Sequence, residues 1–181
     1  MRVAVLGNGY LSNAYRQVTK HTTTLYSKPD INFLQPETLS KYYNDLIQHD
    51  VILNTIVTHK GTSQEVLQIN FLTPVILVEK LIELGYNGRI IMIGSHGSTW
   101  TSWPGIDNTR LIYNISKSCL KNYLISLSHS GLTKSNISLL DLTKFKTPTT
   151  HNTGNDMDSV VQLVEQVIDV NNLRLLHIET Y

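Results

Sequence analysis

RVAVLGNGYLSNA, residues 2–14, reads as a buried strand that turns on two glycines directly into a helix. The apolar run at residues 3–6 is unbroken, as expected of a strand covered on both faces. Gly7 allows a tight turn, and Gly9 lets the backbone approach a pyrophosphate. The amino terminus of the following helix, beginning at Tyr10 and Leu11, attracts that anion. Ser12 stands where a G-x-G-x-x-G fingerprint has its third glycine, and is small enough for close helix packing. An ordinary glycine turn has the same local sequence. The strand before it and the helix after it favour dinucleotide binding.

The same alternation continues to the end of the chain. TTTLY, DVILNTI, RIIMIG, NISLLDL and LRLLHIET are β-rich and mostly continuous in hydrophobicity, and INFL at residues 31–34 adds a short strand. Between them lie helical patterns at YLSNAYRQV, PETLSKYYNDLIQ, the long segment at residues 62–84, the Tyr113 segment and DSVVQLVEQVIDV. Strand and helix in strict succession predict an α/β, Rossmann-type doubly wound parallel sheet with helices on both faces, a single domain over residues 1–181. HGSTWTSWPGIDN and KTPTTHNTGND, both rich in turn formers, each follow a strand. They belong at the carboxyl edge of the sheet, where open α/β folds bind ligands.

Composition narrows the function. Fifteen basic against fourteen acidic residues leave a net charge of +1, which gives no footprint for nucleic acid or an acidic membrane. FLTPVILVEKLIEL is interrupted by Pro74, Glu79, Lys80 and Glu83, so it reads as a packed helix and not a membrane span. A lone Cys119 excludes an internal disulfide and fits a reducing compartment; a cytoplasmic location is expected. Seven histidines are scattered without metal-ligand spacing, and no metal site is expected.

A dinucleotide fold places a polar residue at the end of its second strand to meet the adenosine ribose. The chain has Ser27 and Lys28 there, where NAD-binding relatives carry an acid. A hydroxyl and an ammonium suit a 2′-phosphate, so NADP is the preferred cofactor. Asp30 lies close by and keeps NAD open.

The chemistry-bearing stretch is YNISKSCLKNYLISLS, residues 113–128, preceded by IIMIGSHGS at residues 90–98. Tyr113 and Lys117 lie four residues apart on one helix face, where an ammonium favours loss of a phenolic proton. Hydride addition to a carbonyl requires proton delivery to the developing alkoxide, and a phenol brought down toward neutral pH is suited to that. Ser95, at the carboxyl end of its strand, is placed to hydrogen-bond the substrate oxygen as charge builds on it. Pro74 lacks an N–H four residues after Asn70, so a helix there should bend and leave the Asn70 carbonyl without its usual donor. A helix that merely starts after Pro74 is the alternative, and the bend with a free Asn70 carbonyl is favoured over it.

Together these residues resemble the short-chain dehydrogenase/reductase family, and the likeness spans nearly the whole chain. Its pattern of an asparagine, a serine and a YxxxK pair is matched in order by Asn70, Ser95, Tyr113 and Lys117, and NISLLDLTKFKTPTT resembles its sixth strand. The resemblance implies Tyr113 as acid/base, Lys117 as its tuner and ribose anchor, Ser95 as polariser, and Asn70 holding a water in the proton relay. It further implies cofactor contacts at Gly7, Gly9, Tyr10, Leu11, Ser27, Lys28, Asn54, Thr55 and Thr147 as well as Tyr113 and Lys117. Thr55 and Ile56 replace the small residues usual after the fourth strand, and Leu142 and Thr143 replace the usual Pro-Gly. Relatives commonly dimerise through the helices of Pro74 and Tyr113, so a homodimer is expected. Trp100 and Trp103 either cap an apolar substrate or pack elsewhere, and His96 lines the pocket. The expected activity is NADP-dependent interconversion of an alcohol and a carbonyl on a small molecule. A sugar-nucleotide epimerase or reductase of the same fold, and a non-catalytic NAD(P) sensor, are the alternatives.

Overall fold

Six strands form one parallel sheet: β1 (Arg2–Leu6), β2 (Thr22–Tyr26), β3 (Val51–Asn54), β4 (Arg89–Ile93), β5 (Asn136–Asp141) and β6 (Leu175–Glu179). Their spatial order is β2-β1-β3-β4-β5-β6. The structure, a computed structural model, describes residues 1–99, 108–142, 156–170 and 175–179. Trp100, Trp103, Thr143 and Thr147 lie outside those residues.

Alternate strand side chains go to opposite faces, and each face has its own core. On one side Ala4, Leu6, Ile52, Ile90, Met92 and Leu139 pack against α4 (Thr73–Glu83) and α5 (Asn108–Ser130). On the other, Val3, Val5, Leu53, Ile91, Ile93 and Leu140 pack against α1 (Tyr10–Val18) and α6 (Met157–Asp169). This is the doubly wound arrangement that the unbroken apolar runs predict. Among the described residues, no helix is long and apolar enough to cross a membrane.

Two expectations change. INFL is not a strand, and β2 is the edge of the sheet. Local side chains take the backbone donors that a strand would offer: Asn32 N–H donates to Thr38 Oγ1 (3.0 Å) and Leu34 N–H to Asn32 Oδ1 (3.2 Å). Ile31 and Phe33 are still buried, so the segment contributes to the core without joining the ladder. PETLSKYYNDLIQ is not one helix but a 3₁₀ segment, Pro36–Lys41, followed by the single-turn α2 (Tyr43–Leu46).

The long segment before β4 is continuous but not uniform. Helix α3 (Ser63–Leu67) opens on a Thr62–Glu65 capping box and passes into a π turn, Gln68–Leu72, before α4. Thr73 N–H reaches back to the Gln68 carbonyl, five residues away. Pro74, which has no N–H to give Asn70, sits directly after that turn. The irregularity expected around Asn70 is therefore an inserted residue within a helix, not a helix start.

Candidate active site

The sheet order reverses between β1 and β3, and the crevice at their carboxyl ends is the place where such folds hold ligands. Gly7 occupies that point at φ +104, and its N–H donates to the Tyr26 carbonyl at 2.8 Å. A Cβ on Gly7 would stand 2.8 Å from Thr55 Oγ1 and 2.9 Å from Ile56 Cγ1, so only glycine fits the turn. Thr55 closes in because its hydroxyl donates to the Leu6 carbonyl (2.8 Å). Gly9 caps α1, and a Cβ there would meet nothing, which leaves the helix amino terminus approachable. Ser12 is fully buried with its hydroxyl on the Gly9 carbonyl (2.8 Å), as a stand-in for the third glycine requires.

A cleft of about 350 Å³ runs from this turn to the end of β2, lined by Gly7, Gly9, Ser27, Lys28, Thr55 and Ile56 among others. Its lining includes Lys28 and no Asp or Glu; Asp30 is not part of it. Tyr10 is half exposed at the first position of α1, whereas the Leu11 side chain is buried beneath the turn. Asn54 does not face the cleft. Its amide donates to Met92 Sδ (3.3 Å) and its Oδ1 accepts from Ile56 N–H (3.1 Å), which shapes the turn from inside.

The second group of residues assembles on β4, α5 and β5. Tyr113 and Ser95 are hydrogen-bonded through their side chains. Burial raises the Tyr113 phenol above its ordinary value, the Ser95 bond pulls it down, and the negative charge of Asp141 pushes it up. The phenol thus sits above the usual range and not below it as the four-residue spacing to Lys117 suggested. The Lys117 ammonium, 2% exposed, donates to the Ile93 carbonyl at 2.7 Å. Burial draws its pKa down to about 8, with Asp141 opposing the fall.

Asn70 is fully buried in the π turn and grips the loop after β3 through both ends of its amide. Its Oδ1 accepts from Thr58 N–H (2.9 Å) and its Nδ2 donates to the Thr58 carbonyl (2.6 Å). The loop it holds is the continuation of Thr55 and Ile56 at the cleft wall. Among the described residues no cluster of His, Cys, Asp or Glu has the arrangement of a metal site.

Sequence reading missed Asp141, which is fully buried at the end of β5. Its Oδ1 accepts from Ser95 N–H (3.0 Å) and its Oδ2 from Lys121 Nζ (2.9 Å). A carboxylate closing an apolar strand, with a second lysine four residues after Lys117, was the available signal.

No protein-family model matches the sequence, and no curated protein matches it. Solved structures do match in fold. A protein from Listeria innocua superposes with a TM-score of 0.80 at 11% identity over 100% of both chains. The dTDP-4-dehydrorhamnose reductase of Bacillus anthracis, solved in complex with NADP, gives 0.76 at 10% identity over 99% of this chain and 75% of its own. A short chain dehydrogenase from Burkholderia cenocepacia, also in complex with NADP, gives 0.75 at 14% identity over 97% and 95%. The chain has the Rossmann-type fold that these NADP-bound dehydrogenases and reductases share.

Proposed function

We propose that the chain is an NADP-dependent oxidoreductase of the short-chain type, interconverting a carbonyl and an alcohol on a small molecule. The observation that carries this reading is the Tyr113 phenol hydrogen-bonded to Ser95, with Lys117 one helical turn further along α5, buried and bonded to the Ile93 carbonyl at the end of the same strand that leads to Ser95. The glycine cleft fits the cofactor: Gly9 leaves the start of α1 open for a pyrophosphate, and Lys28 offers a cation at the far end.

When bound, the reduced dinucleotide supplies the hydride. Ser95 donates a hydrogen bond to the substrate oxygen, and Tyr113 transfers its phenolic proton to that oxygen as charge develops. Since burial holds the phenol neutral, it is poised as an acid in the reducing direction. Lys117, protonated below about 8, stabilises the phenolate left behind. Asn70 fixes the loop at the cleft wall, and its carbonyl, which gets no N–H from Pro74, is suited to hold a water for reprotonation.

Oxidation of NADPH in the presence of a panel of aldehydes, ketones and quinones tests the reading. Tight NADPH binding with no oxidation of any of them would favour the sensor, whose best support is the pair of altered turns, Thr55–Ile56 and Leu142–Thr143. Lys28→Glu should weaken NADPH binding by about tenfold while NADH binding improves or holds, the loss of one charge-assisted phosphate contact. Fluorescence titration with both nucleotides reads this. An equal loss for both would assign Lys28 to a role other than the 2′-phosphate.

The protein works as a homodimer in this proposal. Leu72 and Ile76, from the π turn into α4, and Leu111 and Ile115 on α5 are each 38–44% exposed, an apolar pairing on adjacent helices suited to a two-fold contact. Ile115→Glu should convert the dimer to a monomer in sedimentation velocity. A wild-type chain that sediments as a monomer at all concentrations would end this part.

A further inference from the structure

We infer that Asp141, anchored by Lys121, is a positioning residue that holds Ser95 in place and supplies the counter-charge to Lys117, a role resting on the oxidoreductase reading above. The geometry is specific. Asp141 is fully buried at the carboxyl end of an otherwise apolar strand, and each of its oxygens has a partner of known position: Ser95 N–H at 3.0 Å on one, Lys121 Nζ at 2.9 Å on the other. The neighbouring strand makes room for it at Gly94, where a Cβ would stand 1.9 Å from Asp141 Oδ1.

Helix α5 presents Tyr113, Lys117 and Lys121 at successive four-residue steps, which brings a phenol and two ammonium groups onto one face. Two cations so placed repel each other, and both are largely withdrawn from water: Lys117 is 2% exposed and the Lys121 side chain 14%. Asp141 is the carboxylate set between this helix face and the sheet. A buried ion pair of this kind is seldom the most stable filling for such a space; apolar residues of similar volume do as well or better. Its contact with the backbone of Ser95 and its charge beside Lys117 give it another use.

The consequence for Lys117 is electrostatic. Its ammonium rests on the Ile93 carbonyl, desolvated, and desolvation favours the neutral amine. The Asp141 charge opposes that; in this inference the Lys121 cation, itself bonded to Asp141, offsets part of that effect. The other titratable groups among the described residues of the packed elements are Arg110, Tyr113, Cys119, Tyr123 and His129 on α5, Glu65 on α3, Glu79, Lys80 and Glu83 on α4, Arg89 on β4 and His96 after it; the π turn contributes only neutral side chains. Because Asp141 acts through Lys117 and Ser95, it is a positioning residue and does not touch the reacting atoms.

The test follows the Lys117 ε-carbon by NMR in protein labelled at lysine, with Lys117→Arg used to assign the resonance. Asp141→Asn should move the Lys117 titration midpoint down by about one pH unit, since an opposite charge within a few ångström is worth ~1–3 units. Lys121→Gln should move it up. Shifts of opposite sign are not the signature of general loosening, and Lys121→Gln carries the test alone should Asp141→Asn fail to fold. The alkaline limb of the kcat/KM profile should move with the midpoint in each variant. An unmoved Lys117 midpoint in both overturns the inference even in an active enzyme. Opposite shifts in a protein that oxidises NADPH with none of the aldehydes, ketones or quinones would leave the electrostatic pair standing and reject the oxidoreductase reading.

Discussion

Tyr113→Phe should lower kcat by about 10²–10⁴-fold, the usual contribution of a positioned general acid, while NADPH affinity stays within about twofold. The substitution removes one oxygen from a partly buried ring and leaves the ring packing of α5 intact. Ser95 loses the phenol as a partner and keeps its backbone bond to Asp141. The loss should therefore appear in turnover and not in the thermal midpoint. Turnover near the wild-type level would reject Tyr113 as the proton donor. A collapse of NADPH binding would instead show that the phenol is structural at the cleft.

The second large effect is on stability. Gly94→Ala places a methyl group 1.9 Å from Asp141 Oδ1 and 3.1 Å from Leu139 Cδ1. The carboxylate cannot swing aside freely, because Ser95 N–H and Lys121 hold its two oxygens. Overpacking a core costs ~1–3 kcal/mol, and disturbing a buried ion pair by removing a partner costs ~3–5 kcal/mol, so a loss of about 3 kcal/mol or more is expected. Urea unfolding reads it. The double variant Gly94→Ala with Asp141→Ala should be less destabilised than the two single losses added together, because removal of the carboxylate makes room for the methyl. Strict additivity would mean that the strain lies elsewhere.

The sheet was legible because its buried parallel strands are mostly apolar runs and its edge strand, TTTLY, is rich in β-branched threonine; all six stretches are strands. INFL has the same appearance over four residues and fails, since Asn32 and Thr38 satisfy its backbone locally. PETLSK carries a helical pattern, yet the chain leaves the α conformation for a 3₁₀ segment there. At the site, Pro74 announced an irregular helix around Asn70 from covalent structure alone, although the form it takes, a π turn, depends on packing. The Tyr113 acidity was misjudged because helical spacing gives the distance between two residues but not how dry the surroundings are. Asp141 was illegible for a related reason. Its neighbours Gly94, Ser95 and Lys121 meet it only through the parallel register that sets Ile93 beside Leu140.

The extra residue in the π turn puts the two halves of that long helix out of phase by roughly 100°, the rotation per residue in an α-helix. The turn itself holds the loop after β3, through Asn70 and Thr58, and the half after it packs on the sheet through Leu77, Val78 and Leu81. Asn70 is thereby aimed at the loop after β3 while the residues that follow keep the register that seats α4 on the sheet.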